Sequence, residues 1–183
     1  MKGITVITNS TNLGFARACN QGLAEPRGEF VLLLNNDVIV TEGWLGRLTG
    51  LLTSHPQIGA VGPRANFAAS QQHVMCGYLS AQEMEEYARE VDADYRGQWF
   101  ATDRLMGFCL LVRREALDRI GVLDERFEVG MFEDDDLCLR LRQAGYTLAV
   151  AADCFVHSSV NRVRICKQAS CSSALGGRLN AVQ

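Results

Sequence analysis

An α/β fold, a mostly parallel sheet flanked by helices, is what this sequence predicts, and three observations carry it. Strand-like apolar runs alternate with helical periodicities along most of the chain, the pattern that strand-helix-strand units impose. Phe30 to Leu34 is a continuous apolar run, as expected of a parallel strand covered on both faces. That run stops abruptly at Asn35-Asn36-Asp37, and polar residues beyond such a strand end face the crevice where ligands gather.

The elements follow in order. Residues 3–8 alternate β-branched side chains and read as a strand, and Asn12-Leu13-Gly14 is a turn leading into a helix through about Leu23. Beyond the apolar run, Leu45, Leu48, Leu51 and Leu52 fall at helical spacing, with Thr41 as N-cap and His55-Pro56 as the stop. A short strand over residues 59–62 comes next. The pattern weakens between Pro63 and Asp103 apart from a polar helix near residues 81–90, which predicts an irregular excursion along one side of the cleft. Residues 107–112 are strand-like, residues 114–120 form a short helix ending at Gly121, and residues 132–144 form a longer one ending at Gly145. Residues 146–150 read as the last strand. The domain spans residues 1–157, and the Ser-, Gly-, Asn- and Arg-rich stretch 158–183 reads as a loosely ordered tail.

With 183 residues, 48% of them hydrophobic, the chain can build one core and falls short of two comfortable domains. Eighteen Lys plus Arg against 21 Asp plus Glu give a formal charge of -3, so nucleic acid is not an expected partner. Seven irregularly spaced cysteines, several inside apolar runs, suit reduced, buried thiols and a cytoplasmic protein. The absence of a CxxC pair argues against a zinc knuckle. No apolar stretch is long enough to cross a bilayer, and the first residues lack the pattern of a signal peptide. Peripheral association with the inner face of a membrane, through another segment or a partner, stays open.

Four constellations carry chemistry. At Asn35-Asn36-Asp37 an apolar strand delivers amides and a carboxylate to its end, and a hard divalent cation is often held by one or two carboxylates plus substrate phosphates. A plain polar turn is the competing reading. In Phe132-Glu133-Asp134-Asp135-Asp136, Asp134 lies three residues before Leu137 and seven before Leu141, so it shares the apolar face and projects from the first helical turn. Acidic residues also serve helix N-termini structurally. Asp136 and Arg140 read as a surface pair four residues apart. His157 closes the run Cys154-Phe155-Val156, where a structural histidine competes with a ligand. The turn Asn12-Leu13-Gly14 with Arg17 opens a helix whose N–H groups suit a phosphate, or is only a tight turn.

Taken in order, residues 12–20, residues 28–37 and Gly43-Trp44-Leu45, then residues 107–115, Asp124-Glu125-Arg126-Phe127 and residues 132–140, resemble the family 2 glycosyltransferases, especially rhamnosyltransferase-like members. The resemblance covers roughly residues 3–157. It implies a GT-A fold and an inverting, metal-dependent transfer from a nucleotide-diphospho sugar to a glycan or lipid-linked acceptor. It places Asp37 on Mg²⁺ or Mn²⁺, with His157 joining the metal shell. It makes Asp134 the base. Asn12, Gly14, Arg17, Asn35 and Asn36 fall on the donor side, and Trp44, Gly107 and Glu133 on the acceptor side.

Family members usually begin with a strand, a helix and a second strand that ends in an acidic loop gripping the base and ribose. The chain is expected to lack that segment, which leaves a sheet edge suited to self-association or a partner. The alternative is a non-catalytic module that binds nucleotide or glycan. A nucleotidyltransferase would call for a basic, Gly-rich loop near the start, and none is present.

Overall fold

A computed structural model describes residues 5–24, 28–68, 71–127 and 132–159, together with the backbone of 181–182. The α/β class stands. Helices α1 (Phe15–Ala24), α2 (Trp44–Ser54), α3 (Ala81–Tyr95), α4 (Arg114–Ile120) and α5 (Glu133–Gln143) flank one sheet. Its strands are β1 (Phe30–Leu34), β2 (Val38–Val40), β3 (Ile58–Ala65), β4 (Trp99–Thr102), β5 (Cys109–Arg113), β6 (Thr147–Ser158) and β7 (Ala181–Val182). The order is β2-β6-β3-β5-β1-β7, with β4 also paired to β6.

The sheet is mixed. β3 and β6 are parallel, as are β1 and β7, whereas β1 pairs antiparallel with β5, β5 with β3, and β6 with both β2 and β4. The apolar run of β1 registered burial on both faces and not strand direction. Val31 and Leu33 enter one core with Leu110 and Val112 of β5, while Leu32 enters the other with Cys109 and Leu111. An antiparallel central strand covered twice has the same composition as a parallel one.

Helices α1, α4 and α5 cover one face through Cys19 and Leu23, Leu117, and Leu137 and Leu141. Helix α2 covers the other through Leu48 and Leu52, both fully buried. Truncating either leucine to alanine would cost about 2–5 kcal/mol. Helix α3 adds a third cluster over Phe155 with Met84, Ala88 and Val91. Its N-cap is Ser80, whose hydroxyl accepts from the Glu83 N–H at 3.1 Å while Glu83 Oε2 accepts from the Leu79 N–H at 2.7 Å. That reciprocal arrangement explains why so polar a segment starts a helix here.

Several expectations are corrected. Residues 5–9 form no strand, and Val6 is 79% exposed; β-branched alternation favours a strand only where a neighbour supplies a ladder. Residues 3 and 4 lie outside the described set, as do residues 160–180 of the expected tail. Thr41 does not cap α2. It is buried, and its hydroxyl donates to the Phe155 carbonyl at 2.5 Å, while Gly43, with φ 73°, occupies the N-cap. β3 extends to eight residues through Pro63, tolerated because the β3–β6 register shifts between Pro63 and Arg64. β6 joins the expected strand at residues 146–150 to the run that ends in His157. No helix among the described residues is long and apolar enough to cross a membrane.

Candidate active site

β1, β3 and β6 run the same way and β5 runs against them, so three carboxyl ends and one amino end meet at a single rim. That rim gathers Asn35-Asn36-Asp37 after β1, Asn66 after β3, Gly107 before β5 and His157 at the end of β6. The Asn35 N–H donates to the Phe108 carbonyl at 2.9 Å, and the Ser159 N–H to the Asp37 carbonyl at 3.0 Å. The Asn66 side chain completes the join between β3 and β6, donating to the Ser158 carbonyl at 3.1 Å and accepting from its N–H at 2.7 Å. Asn35 and Asp37 are half-buried and Asn36 is exposed.

Asp134 is held through both carboxylate oxygens. Its Oδ2 accepts from the Gly107 N–H at 3.0 Å and its Oδ1 from the Asp135 N–H at 2.9 Å. Glu133, adjacent, is the buried member of the acidic run, and its Oε2 accepts from the Phe132 N–H at 3.0 Å. Burial, with Glu133 close by, pushes the Cys19 thiol up to about 11, so this cysteine packs as a neutral group. The acidic residues of α5 thus satisfy backbone donors at a helix start whose N-cap, Phe132, supplies no side-chain bond.

The loop before β5 is seamed to α5. Arg142 pairs with Asp103 at 3.0 Å, Arg104 pairs with Asp135, and the Leu105 N–H donates to the Cys138 sulfur at 3.3 Å. Gly107 to Asp134 is the last contact of that seam. Burial raises Asp135 despite the Arg104 guanidinium beside it. The expected surface pair Asp136–Arg140 is a half-buried clamp instead: Arg140 donates to Asp136 at 2.8 Å and to the carbonyls of Ile120, Gly121 and Val122. It fixes α5 to the end of α4.

His157 is 1% exposed. Its Nδ1 meets the Tyr78 hydroxyl, and its Nε2 is buried with no hydrogen-bond partner. Burial lowers its pKa, so the ring is held neutral. On the donor side, the Gly14 N–H donates to Asn12 Oδ1 at 2.9 Å, and Gly14, with φ 79°, takes the left-handed conformation the turn needs. A Cβ on Gly107 would lie 3.8 Å from the Phe15 ring, which brings this turn beside Asp134. The structure does not bring Arg17 or Trp44 into that cluster. Arg17 donates to Glu125 at 3.1 Å, and Trp44 packs against the core beneath α2.

Sequence reasoning missed Gln72, Asn66 and Tyr78. All three lie in the stretch after β3 that has no periodicity, where polar residues carry no signal of burial.

With Asp37 beyond the end of β1 and Asp134 at the start of α5, the sheet and its rim are those of an α/β protein of the GT-A type, and comparison with solved structures agrees. A mannosyltransferase from Pyrobaculum calidifontis, solved with GDP-Man and Mn²⁺, superposes with a TM-score of 0.59 at 21% identity, covering 87% of this chain and 40% of that one. The model of the family described as "Glycosyltransferase like family 2" matches residues 1–172, and the chain belongs to that family. Among curated relatives, a pre-mycofactocin glycosyltransferase of Mycobacterium tuberculosis is 29% identical over 149 residues, covering 79% of this chain and 30% of the relative. An N-acetylglucosaminyl-diphospho-decaprenol L-rhamnosyltransferase of the same species is 29% identical over 173 residues, covering 78% and 54%. The chain therefore spans about a third to a half of the length of these relatives.

Proposed function

We propose that the chain carries the catalytic rim of an inverting glycosyltransferase that moves a sugar from a nucleotide-diphospho sugar to a hydroxyl of a glycan or lipid-linked acceptor. The observation that carries this reading is Asp134, held by the N–H groups of Gly107 and Asp135 at the rim where β1 ends in Asn35-Asn36-Asp37. A carboxylate positioned by two backbone donors keeps lone pairs for an incoming hydroxyl proton. The acceptor oxygen attacks the anomeric carbon, its proton passes to Asp134, and the bond from that carbon to the diphosphate breaks with its electrons leaving on the nucleoside diphosphate. One displacement inverts the configuration.

Among the described residues no three His, Cys, Asp or Glu side chains form a ready-made metal cage. The donor set still fits a cation shared with substrate. Asp37 offers a half-buried carboxylate, and His157 offers a neutral ring whose Nε2 is buried without a partner while Nδ1 is oriented by Tyr78, the outer-shell arrangement that metal-bound histidines favour. Bound Mg²⁺ or Mn²⁺ would offset the charge that develops on the leaving diphosphate. Asn12, Gly14, Asn35 and Asn36 face the donor side of the rim in this reading, and Glu133 buttresses the acceptor side. The name of the rhamnosyltransferase relative, which carries a diphospho-decaprenol group, supports a lipid-linked acceptor; action in the cytoplasm or at the inner membrane face belongs to the same proposal.

Titration with UDP, GDP and dTDP, each with and without Mn²⁺, tests the donor half, and turnover of UDP-glucose, GDP-mannose and dTDP-rhamnose tests transfer. Binding of one diphosphate only with Mn²⁺ is expected. Equal affinity with and without the metal would overturn the assignment of Asp37 and His157. A second reading has its own observation: β7 is bonded to β1 only at Leu32 and Leu33, so among the described residues most of that edge is open to another strand. Dimerisation in size-exclusion chromatography, with activity confined to the dimer peak, is the outcome that would favour it.

A further inference from the structure

The buried amide of Gln72 stands at the junction between the sheet and the loop that holds Asp134. Gln72 is 0% exposed. Its Nε2 donates to the Pro63 carbonyl at 2.9 Å, its Oε1 accepts from the Met106 N–H at 2.8 Å, and its main-chain carbonyl accepts from the Ala65 N–H at 2.8 Å. One side chain thus satisfies a β3 carbonyl whose strand register is broken at that point and the N–H of the residue next to Gly107. Gly107 then donates to Asp134 Oδ2.

The fit is specific. A Cβ on Gly62 would stand 2.5 Å from Gln72 Nε2 and 3.2 Å from Leu105. Gly62 has no left-handed backbone to explain its glycine; the space is needed for the amide. An apolar residue at position 72 would take this hydrogen-bond partner from the buried Pro63 carbonyl and from the Met106 N–H.

We infer that Gln72 is a positioning residue for the proposed base: through Met106 it fixes the Gly107 N–H that orients the Asp134 carboxylate. The inference rests on the reading of Asp134 given above, and its test has a readout independent of that reading. In the full chain, hydrogen exchange and ¹⁵N shifts of Met106 and Gly107 are measured for wild type, Gln72→Met and Gln72→Glu.

Gln72→Met removes the bonds to the Pro63 carbonyl and the Met106 N–H, and exchange at Met106 and Gly107 is expected to accelerate about 10- to 100-fold, as for loss of a hydrogen bond, while the β3 and β6 amides stay protected. Gln72→Glu keeps an oxygen to accept from Met106 in either protonation state and is expected to restore Gly107 towards wild type. Unchanged Gly107 exchange in Gln72→Met overturns the inference. If Gln72→Met does not fold, Gly62→Ala, which presses on the amide without removing it, takes its place, and an unmoved Gly107 shift there is equally fatal.

The kinetic arm uses slow hydrolysis of UDP-glucose, GDP-mannose and dTDP-rhamnose with Mn²⁺. Gln72→Met is expected to lower kcat about tenfold with donor KM unchanged, and Gln72→Glu to recover it. A matching fall in kcat and rise in KM would mean general loosening and not positioning. If Asp134→Asn leaves turnover intact while Gly107 still responds to Gln72→Met, the assignment of the base fails and the structural link survives.

Discussion

The two acidic corners of the rim are built to opposite principles. Asp134 is immobilised before any substrate arrives: two backbone N–H groups grip it, and the seam from Asp103 to Gly107 holds its helix to the neighbouring loop. Asp37 sits on a turn between β1 and β2, and no hydrogen bond or ion pair to its carboxylate is found among the described residues; only its backbone carbonyl is engaged, by Ser159. Preorganisation matters most where a proton must be taken in flight, since a misplacement of about 1 Å can cost about 10²-fold. A carboxylate that shares a cation with a diphosphate gains its order from the ligand. Under the proposed function, the difference separates a corner suited to chemistry from one suited to capture.

The largest effect that would break this contrast is expected at Asp134. Asp134→Asn keeps the size and one acceptor oxygen for the Gly107 N–H, turns an NH2 towards the Asp135 N–H, and removes the proton sink of the proposed reaction. Turnover of the donor the chain accepts is expected to fall roughly 10²–10⁴-fold, with stability lowered by no more than the loss of that one bond, about 1–3 kcal/mol. A loss of stability as large as the loss of rate would show that the carboxylate is structural.

Asp37→Asn should do the reverse of a preorganised residue. Because its carboxylate has no partner to lose among the described residues, stability should change by no more than about 0.5 kcal/mol. The Mn²⁺-dependent part of nucleoside diphosphate affinity is expected to disappear, read by calorimetric titration with and without metal. Retained metal dependence would move the cation elsewhere. A smaller effect is expected from Gly107→Ala. Its Cβ would meet the Asp134 side chain at 3.5–3.8 Å, ordinary contact distances, with no left-handed φ to strain. Stability should hold within about 1 kcal/mol and turnover should fall by about tenfold or less, well short of Asp134→Asn.

What the sequence discloses follows from which interactions are local. Helix α4 and its stop at Gly121, the stop of α5 at Gly145, and the β1 run are legible because periodicity, φ preference and burial are written within a few residues. Asp134 is legible for the same reason: its spacing to Leu137 and Leu141 fixes its face. Strand direction is not, because Phe30–Leu34 is covered on both sides whichever way its neighbours run. Thr41 looks like a cap until Phe155, far along the chain, claims its hydroxyl. Gln72 and Asn66 are invisible for a deeper reason. Their partners are backbone groups of β3, β6 and the Met106 loop, and a polar residue in an aperiodic stretch looks alike whether it is buried or washed by water. Residues 5–8 fail in the other direction: their β-branched pattern is strong, but a strand needs a neighbour that the local sequence does not supply.

The smallest effect expected concerns His157 and sharpens the account of the capture corner. Its ring is buried and held neutral, so its folded pKa lies below the ordinary value near 6.5. As pH falls through that value, the unfolded chain takes up a proton that the folded chain still refuses. Stability is therefore full above about pH 6.5, declines as pH falls below it, and levels off once the depressed folded value is passed. In metal-free protein the slope should correspond to a fraction of a proton and should vanish in His157→Gln. Chemical denaturation at stepped pH in EDTA reads it directly. If the slope persists in His157→Gln, another group carries it. If it is absent from wild type, the ring reaches water, and the unpartnered Nε2 no longer argues for a ligand.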